Sequence, residues 1–215
     1  TGYLNSDRFA TDFGLYNVEF FENFEARTGH AINFHQSGSL RITLTDTYHQ
    51  DLERRLEVAA EIGDDARIIS AEEARAMVPL LAPAPDCRIM LMPRDGWVEP
   101  KSVAVAYAAA AVDRGVQFHT GIPVTGLVQN DDRVTGVTTP QGTLQANWVV
   151  LAAGAWSRQL SQPLGINLRS VPVRHQAFVT APLADARPDQ PIVRITEPQF
   201  YVRPEAGGLL VGGYG

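Results

Sequence analysis

The sequence predicts an α/β chain of the α+β type, in which a mixed, largely antiparallel sheet with flanking helices is joined to a second unit. That unit reads helix, strand, three-stranded meander, strand, helix. Apolar residues recur at helical spacing in the first third of the chain. Turn residues divide the middle third into short strands, and prolines separate the strands predicted in the last third. Of the 215 residues, 45% are apolar and 20% are charged, which is the composition of a folded domain.

Three helices are predicted in the first third of the chain. Residues 14–28 place aromatic side chains on one helical face, and Gly29 is a typical helix end. Residues 47–62 carry a stripe of leucine and alanine that is followed by Gly63. Ser70 has a glutamate three residues later, which is the capping-box spacing that begins a short helix.

Alternating side chains predict strands at both ends of the sequence. In residues 39–44, leucine and isoleucine point to one face while Arg41 and Thr43 point to the other, so we expect a half-buried strand. Because no other surface could cover this strand, we expect it to join the sheet of the last third. The strands predicted there are residues 171–180, 192–195, 199–203 and 208–211.

The middle of the chain has a different pattern. An alanine-rich helix is predicted at residues 101–114, with Gly115 as its end, and a short strand at 116–119. Turn residues then separate three strands of a meander, at 124–129, 133–138 and 142–146. Helix followed by strand suggests part of a doubly wound sheet into which the meander is inserted.

Residues 147–157 read NWVVLAAGAWS. The apolar run predicts a buried parallel strand, and the small residues after it predict a tight turn before a helix that opens at Ser157. Without bulky side chains at the turn, a planar or phosphorylated ligand could contact backbone N–H groups. The alternative is a strand that packs closely on a helix.

Charge and cysteine content exclude several classes of function. The 24 acidic and 18 basic residues give a net charge of −6, so we expect no nucleic-acid partner. No apolar run approaches the length of about 20 residues that spans a bilayer, so we expect no membrane partner. The single cysteine, Cys87, excludes an internal disulfide and suits a reducing compartment, which predicts a cytoplasmic location. The histidines lack metal-ligand spacing, and we predict no metal site.

Several stretches, taken in order, resemble the D-amino-acid-oxidase-like family of FAD-dependent oxidoreductases. Within it, the chain is most similar to the sarcosine and dimethylglycine dehydrogenase branch. The resemblance covers nearly the whole chain. It is carried by FEARTGHAINFHQSGSLRITLT (24–45), DGWVEP (95–100), RGVQFHTGIPVTGL (114–127), WVVLAAGAWS (148–157), PVRHQAFVT (172–180) and FYVRPEAGGLLVGGYG (200–215).

The resemblance implies an enzyme that uses FAD to oxidise the C–N bond of a small, N-methylated amino acid to an imine. Members of the family open with a strand, a GxGxxG turn and a helix, which this sequence lacks. We therefore expect an interior fragment that is inactive alone, binds FAD weakly or not at all, and has the missing Rossmann half of its parent as a partner. We also expect the fragment to self-associate through the exposed apolar surface on which the missing Rossmann half would dock.

The same resemblance divides the chain by function. Residues 1–95 are the first part of a substrate domain, residues 96–160 a partial FAD-binding domain, and residues 161–215 the second part of the substrate domain.

Three side chains are predicted to act on the substrate. His175 matches an active-site histidine of the branch and would accept the proton of the substrate ammonium; the alternative is a histidine bonded to a backbone carbonyl. Tyr201 matches a tyrosine near the substrate. Alternation places Arg203 on the same strand face as Tyr201, where its guanidinium could bind a carboxylate. The alternative is that the side chain forms only a cross-strand pair at the surface.

Four residues are predicted to bind the cofactor. By resemblance, Val124 lies in a strand whose backbone approaches the adenine of FAD, while Ala153, Gly154 and Trp156 line the nucleotide portion. Trp156 could equally be a core tryptophan.

Two other functions stay open. The first is a flavin dehydrogenase of a 2-hydroxy acid or of glycerol phosphate on the same fold, although the His-Gln pair at residues 175–176 favours amines. The second is a non-catalytic binding or assembly module that keeps only the sheet surface.

Overall fold

The computed structural model describes residues 2–213, which form two compact units. The first unit combines the residues up to 115 with those from 175 onward, and the second consists of residues 116–174. Residues 96–115, which we assigned to the FAD-binding segment, lie in the first unit. The division into substrate and FAD-binding domains at 95/96 and 160/161 stays a prediction.

Five helices belong to the first unit, and the local signals of the sequence fix most of their ends. They are α1 (Arg8–Glu22), α2 (Phe24–Thr28), α3 (Asp46–Ile62), α4 (Ala71–Met77) and α5 (Pro100–Val112). None of the described helices combines the length and the apolar content needed to cross a membrane.

Glycines end two of these helices as predicted. Gly29 and Gly63 adopt left-handed φ values of 77° and 67°. The capping box of Ser70 is present and begins α4. The first helix differs from the prediction, since α1 begins at Arg8, where the Asp7 carboxylate accepts a hydrogen bond from a backbone N–H of the first turn.

The first unit is built on a seven-stranded mixed sheet, so the predicted fold class is confirmed. All neighbouring strands are antiparallel except for one parallel pair, β2 (Ser39–Thr43) and β10 (Ile192–Ile195). A two-stranded pair, β1 (Phe34–His35) with β5 (Trp97–Val98), lies outside this sheet. Along the sheet the order is β3 (Arg67–Ile69), β4 (Arg88–Met92), β2 (Ser39–Thr43), β10 (Ile192–Ile195), β11 (Phe200–Glu205), β12 (Gly208–Gly213) and β9 (Gln176–Val179).

Helices cover both faces of this sheet near β2. On one face, which we call the α4 face, Leu40 and Ile42 pack with Ala74 of α4. On the other, the α3 face, Met90 packs with Leu52 of α3 and with residues of α1. The prediction of a half-buried strand at residues 39–44 is therefore wrong, because α1 and α3 bury the side that was assigned to solvent.

The second unit contains the predicted meander, but not the strands expected on either side of it. Its elements are β6 (Gly126–Asn130), β7 (Arg133–Thr139), β8 (Gly142–Gln145), a 3-10 turn (Gly154–Trp156), α6 (Ser157–Ser161) and a second 3-10 turn (Gln162–Leu164). Neither residues 116–119 nor residues 148–151 form a strand. A parallel strand requires neighbours to accept its hydrogen bonds. Within the described chain these segments have none, and Trp148 and Val150 are 87% and 88% exposed.

Candidate functional site

The first unit contains a cavity of about 440 Å³ that we call the sheet cavity. Arg41 of β2, Arg194 of β10, and Tyr201 and Arg203 of β11 line it, together with Trp97 of β5. Two of the predicted substrate-site residues, Tyr201 and Arg203, therefore share one cavity.

Strand register places the polar groups of the cavity in one row. Arg41 lies opposite Arg194, and Arg194 lies opposite Tyr201. Directly opposed residues of neighbouring strands point to the same face of a sheet. Met90, which is buried against α3, lies opposite Arg41, so the whole row is on the α3 face. Arg203 shares this face because it is two residues beyond Tyr201.

The position of Tyr201 depends on a glycine of the neighbouring strand. Gly212 lies opposite Tyr201 in the register. A Cβ atom built on Gly212 would be 2.3 Å from Cζ of Tyr201 and 2.4 Å from its hydroxyl oxygen. The phenol ring therefore lies over Gly212, on the side away from Arg194, and any side chain at position 212 would displace it.

Arg203 is already engaged by neighbouring groups. Its guanidinium lies over the ring of Trp97 at 4.4 Å from the centroid. It also forms an ion pair with Glu205 and donates a hydrogen bond to the carbonyl oxygen of Pro204. His35 stacks on the same indole, with ring centroids 4.1 Å apart. Arg203 thus holds Trp97 in place, and its charge is balanced by Glu205.

The remaining cations of the cavity, Arg41 and Arg194, form no ion pair among residues 2–213. Burial is the main cause that lowers the pKa of Arg41 to about 10, and the nearby charges of Arg55 and Arg194 lower it further. The carboxylates of Asp51 and Asp95 oppose these effects. At neutral pH Arg41 is still protonated, so this side of the sheet cavity is cationic.

His175 lies outside the set of residues that line the sheet cavity. It immediately precedes β9, where its side chain is exposed. In the register, Ala177 of β9 lies opposite Gly212, over which the Tyr201 ring lies. His175 therefore lies outside the sheet, two residues before Ala177, which is the β9 residue next to that ring. Its role as proton acceptor stays a prediction.

All four residues predicted to bind the cofactor line a single pocket of the second unit. This turn pocket has a volume of about 710 Å³ and includes Val124, Ala153, Gly154 and Trp156. Trp156 is 67% exposed, so the alternative of a core tryptophan does not hold within this chain. The structure brings together residues that are about 30 positions apart in the sequence.

The turn pocket is suited to a ligand that accepts hydrogen bonds from backbone N–H groups. Gly154 adopts a left-handed φ of 52°, and a Cβ atom at that position would meet nothing within 4 Å. Among residues 2–213, no backbone hydrogen bond uses the N–H groups of Ala153 or Gly154. Open backbone donors beside small residues fit the phosphate and ribose oxygens of a nucleotide. The residues present therefore fit the nucleotide portion of FAD.

The described residues contain no group of three or more His, Cys, Asp or Glu side chains placed to hold a metal ion. Two histidines outside the predicted site have structural contacts. His30 pairs with Asp113 at 2.7 Å through Nε2, and His49 Nε2 lies 3.3 Å from the carbonyl oxygen of Thr43.

Sequence reasoning missed Arg41, Arg194 and Trp97 as members of the site. For two of them, Arg41 and Arg194, the neighbouring residues in the sequence gave a signal. Arg41 lies between a leucine and an isoleucine, and Arg194 lies between a valine and an isoleucine. A cation within an apolar strand is either exposed on one face or held in a buried polar site. Only the positions of α1 and α3 decide which of these applies.

Comparison with known proteins identifies similar chains. A family model described as FAD dependent oxidoreductase matches residues 1–215. Mitochondrial dimethylglycine dehydrogenase of Homo sapiens is 31% identical over 92% of this chain and 23% of its own length. The 4-methylaminobutanoate oxidase (formaldehyde-forming) of Paenarthrobacter nicotinovorans is 28% identical over 95% of this chain and 25% of its own length. This chain thus spans about a quarter of these two relatives.

The crystal structure of L-proline dehydrogenase from P. horikoshii superimposes with a TM-score of 0.84 at 24% identity. The superposition covers 100% of this chain and 57% of that one. At this level of identity the likeness concerns the fold.

Proposed function

Because this chain belongs to the FAD dependent oxidoreductase family, we propose that it is part of an enzyme that oxidises a small, N-methylated amino acid, such as sarcosine or dimethylglycine, at its C–N bond. The observation that carries the proposal is the sheet cavity, in which Tyr201 shares one sheet face with the cations Arg41 and Arg194. An amino acid offers a carboxylate to such cations and an amine to the other end of the cavity. The names of two relatives refer to amino acids with a methylated nitrogen.

The residues of this chain would prepare the amine for oxidation. His175 would accept the ammonium proton, because the nitrogen lone pair must be free to form the C=N bond as hydride leaves the adjacent carbon. Tyr201 would orient the amine through its hydroxyl, and the cavity cations would hold the carboxylate. When bound, FAD would supply the acceptor for this hydride, which carries both electrons of the oxidation. Water then hydrolyses the resulting imine to the demethylated amine and an aldehyde.

The turn pocket would hold the nucleotide portion of FAD. Backbone N–H groups of Ala153 and Gly154 can donate to oxygen acceptors, and Val124 lines the same pocket. Trp156 offers an exposed aromatic surface beside them. This assignment rests on the fit of the pocket and on membership in the family.

Anaerobic reduction of the flavin tests the substrate class. In the complete FAD-loaded protein, we expect sarcosine or dimethylglycine to bleach the oxidised flavin absorbance. We expect His175→Gln to slow this step by roughly 100-fold, the lower end of a typical loss of general-base catalysis. Tyr201→Phe keeps the ring over Gly212 and removes only the hydroxyl. His119→Gln, an exposed histidine of the second unit, is the matched control.

The same experiment decides between the remaining functions. Lactate and glycerol 3-phosphate are also anions, so a cationic cavity does not by itself reject them. Bleaching by either of these, with none by the amines, would replace the proposed substrate class. Amine oxidation that is unchanged in both His175→Gln and Tyr201→Phe would contradict the assigned roles. No flavin reduction by any of these compounds would favour the binding or assembly module.

We also propose a partner for the uncovered segment at residues 148–151. Since the chain spans about a quarter of its curated relatives, we assign this segment to pairing with a strand of the Rossmann half of the parent protein. Its apolar, β-branched sequence supports strand pairing. We also propose a cytoplasmic location for the protein.

A further inference from the structure

We propose that Arg41, Arg194 and Trp97 form a carboxylate-binding subsite in the sheet cavity, and that this subsite receives the carboxylate of the amine substrate. The proposal rests on the proposed function, because it takes the sheet cavity to be the substrate site. It replaces Arg203 as the main carboxylate anchor by two arginines that were not predicted from the sequence.

Unpaired buried donors converge on this part of the cavity. Nε of Arg41, Nε of Arg194 and Nε1 of Trp97 are buried in the described structure without a hydrogen-bond partner, as is Oγ1 of Thr196. All four residues line the sheet cavity. Buried polar groups are normally paired, so several unpaired groups at one cavity indicate a ligand that completes them. The three N–H groups can only donate, so the ligand must accept.

Arg41 and the charged groups that act on it, which are Arg55, Arg194, Asp51 and Asp95, leave a surplus of one positive charge. Arg55 is paired with Asp51 at 2.7 Å, and Arg203 is paired with Glu205. Among residues 2–213, no ion pair holds Arg41 or Arg194.

Of the two carboxylates that act on Arg41, Asp51 is paired with Arg55, so Asp95 remains as the buried counter-charge. It accepts hydrogen bonds from the backbone N–H of Tyr3 at 3.0 Å and from the hydroxyl of Ser39 at 2.5 Å. Two cations and one carboxylate leave a charge that a single carboxylate would neutralise. A ligand of one negative charge therefore suits the subsite better than a neutral molecule.

Strand geometry gives the bound substrate a direction. Arg41, Arg194 and Tyr201 lie in register on three adjacent strands, which are spaced by about 4.8 Å. The ring of Tyr201 leans over Gly212, away from the arginines. A carboxylate between Arg41 and Arg194 therefore leaves the amine end of the substrate on the side of Tyr201 and β12. The fixed indole of Trp97, sandwiched by His35 and Arg203, would supply a further donor.

Calorimetric titration of the complete FAD-loaded protein tests the subsite without turnover. The probes are propanoate, which carries the charge, and propanamide, its neutral isostere. We expect propanoate to bind at least roughly tenfold more tightly than propanamide. Arg194→Met should weaken propanoate binding by roughly tenfold or more and raise the KM for the amine more than it lowers kcat. Propanoate should compete with the amine substrate.

Arg88→Met is the matched control, because Arg88 pairs with Glu53 at the surface and does not line the cavity. If Arg41→Met, the corresponding variant of the other arginine, fails to fold, Arg194→Lys and Thr196→Val test two other polar groups of the cavity with smaller changes. Circular dichroism and flavin content report whether each variant is folded.

The failures of the two proposals are distinguishable. Equal binding of propanoate and propanamide, or equal loss in Arg194→Met and Arg88→Met, would overturn the subsite even if amines are oxidised normally. Propanoate that binds without competing with the amine would overturn its assignment to the substrate carboxylate. Propanoate binding that depends on Arg194, in a protein that oxidises no amine, would retain the anion site and refute the proposed function.

Discussion

At the scale of single residues, the site depends on glycines as much as on its reactive side chains. Gly212 leaves room for Tyr201, and the next residue does the same for Phe200, since a Cβ atom on Gly213 would be 2.7 Å from that ring. Aromatic rings that cover glycines of a neighbouring strand stabilise a sheet at positions that lack a side chain. Here the same arrangement fixes the ring that is proposed to orient the amine.

Gly212→Ala should therefore impair both activity and stability. The new methyl group forces the Tyr201 ring to move, and overpacking of this kind costs about 1–3 kcal/mol. We expect the rate of flavin reduction to fall by roughly tenfold or more, because misplaced groups lose orientation. Stopped-flow reduction and urea unfolding measure the two effects. Gly126→Ala is the control, since its Cβ would approach other atoms only to 4.0 Å; equal losses in both variants would contradict the argument.

Gly154→Ala should lower retention of FAD by the complete protein. A left-handed φ of 52° disfavours alanine by about 1–2 kcal/mol, and the added methyl group would take up open space at a residue that lines the turn pocket. The ratio of flavin absorbance to protein after gel filtration measures retention. Gly165→Ala is matched in φ, at 74°, and in open space, but does not line the pocket. Equal flavin loss in both would assign the effect to backbone strain alone.

At the scale of elements, α3 determines that the polar groups of the sheet cavity are buried. Its leucine and alanine stripe covers the sheet face that carries Met90 and the arginine row. The charged face of β2 is buried for this reason. Arg41, which would be an ordinary surface cation in solvent, therefore becomes part of a site.

Leu52→Ala tests the contribution of this helix to stability. Leu52 is fully buried in the cluster that joins α3 to the sheet. Removal of a buried leucine side chain costs about 2–5 kcal/mol, through lost burial and the cavity that remains. Urea unfolding followed by circular dichroism should show a lower midpoint with an unchanged slope. Leu80→Ala, at an exposed position, should change the midpoint little; a loss as large as that of Leu52→Ala would argue against specific packing of α3.

At the scale of the whole molecule, the two units differ in how complete they are within this chain. The seven-stranded sheet has helices on both faces, whereas the segment at residues 148–151 has the sequence of a central strand and no strand partner among the described residues. Exposed apolar side chains of this kind mark surfaces that bind another protein segment.

The double variant Trp148→Lys/Val150→Lys tests this surface. We expect the 215-residue chain to self-associate, and the double variant to shift it toward monomer in light scattering. In the complete protein, the same change should reduce FAD content, because the segment would no longer pair with the Rossmann half. Leu144→Lys, which alters an exposed apolar residue of β8, is the control. A monomeric unmodified chain, or dissociation by Leu144→Lys as well, would contradict the proposed surface.

The sequence by itself determined the features that depend on local signals. Gly29 and Gly63 ended helices, Ser70 capped one, and turn residues separated the strands of the meander, because each of these effects acts within a few residues of the chain. The order of short motifs also indicated the family. The alternation of side chains along β11 is enough to place Tyr201 and Arg203 on one face.

Only the tertiary structure decided which surfaces are covered. It buried the Arg41 face of β2, brought Arg194 and Trp97 to the same cavity, and left residues 148–151 without a neighbouring strand among the described residues. Periodicity shows that a strand has two faces, but the burial of each face depends on helices and strands that are distant in the sequence. The site residues that reasoning from the sequence missed are those whose chemistry arises from such burial.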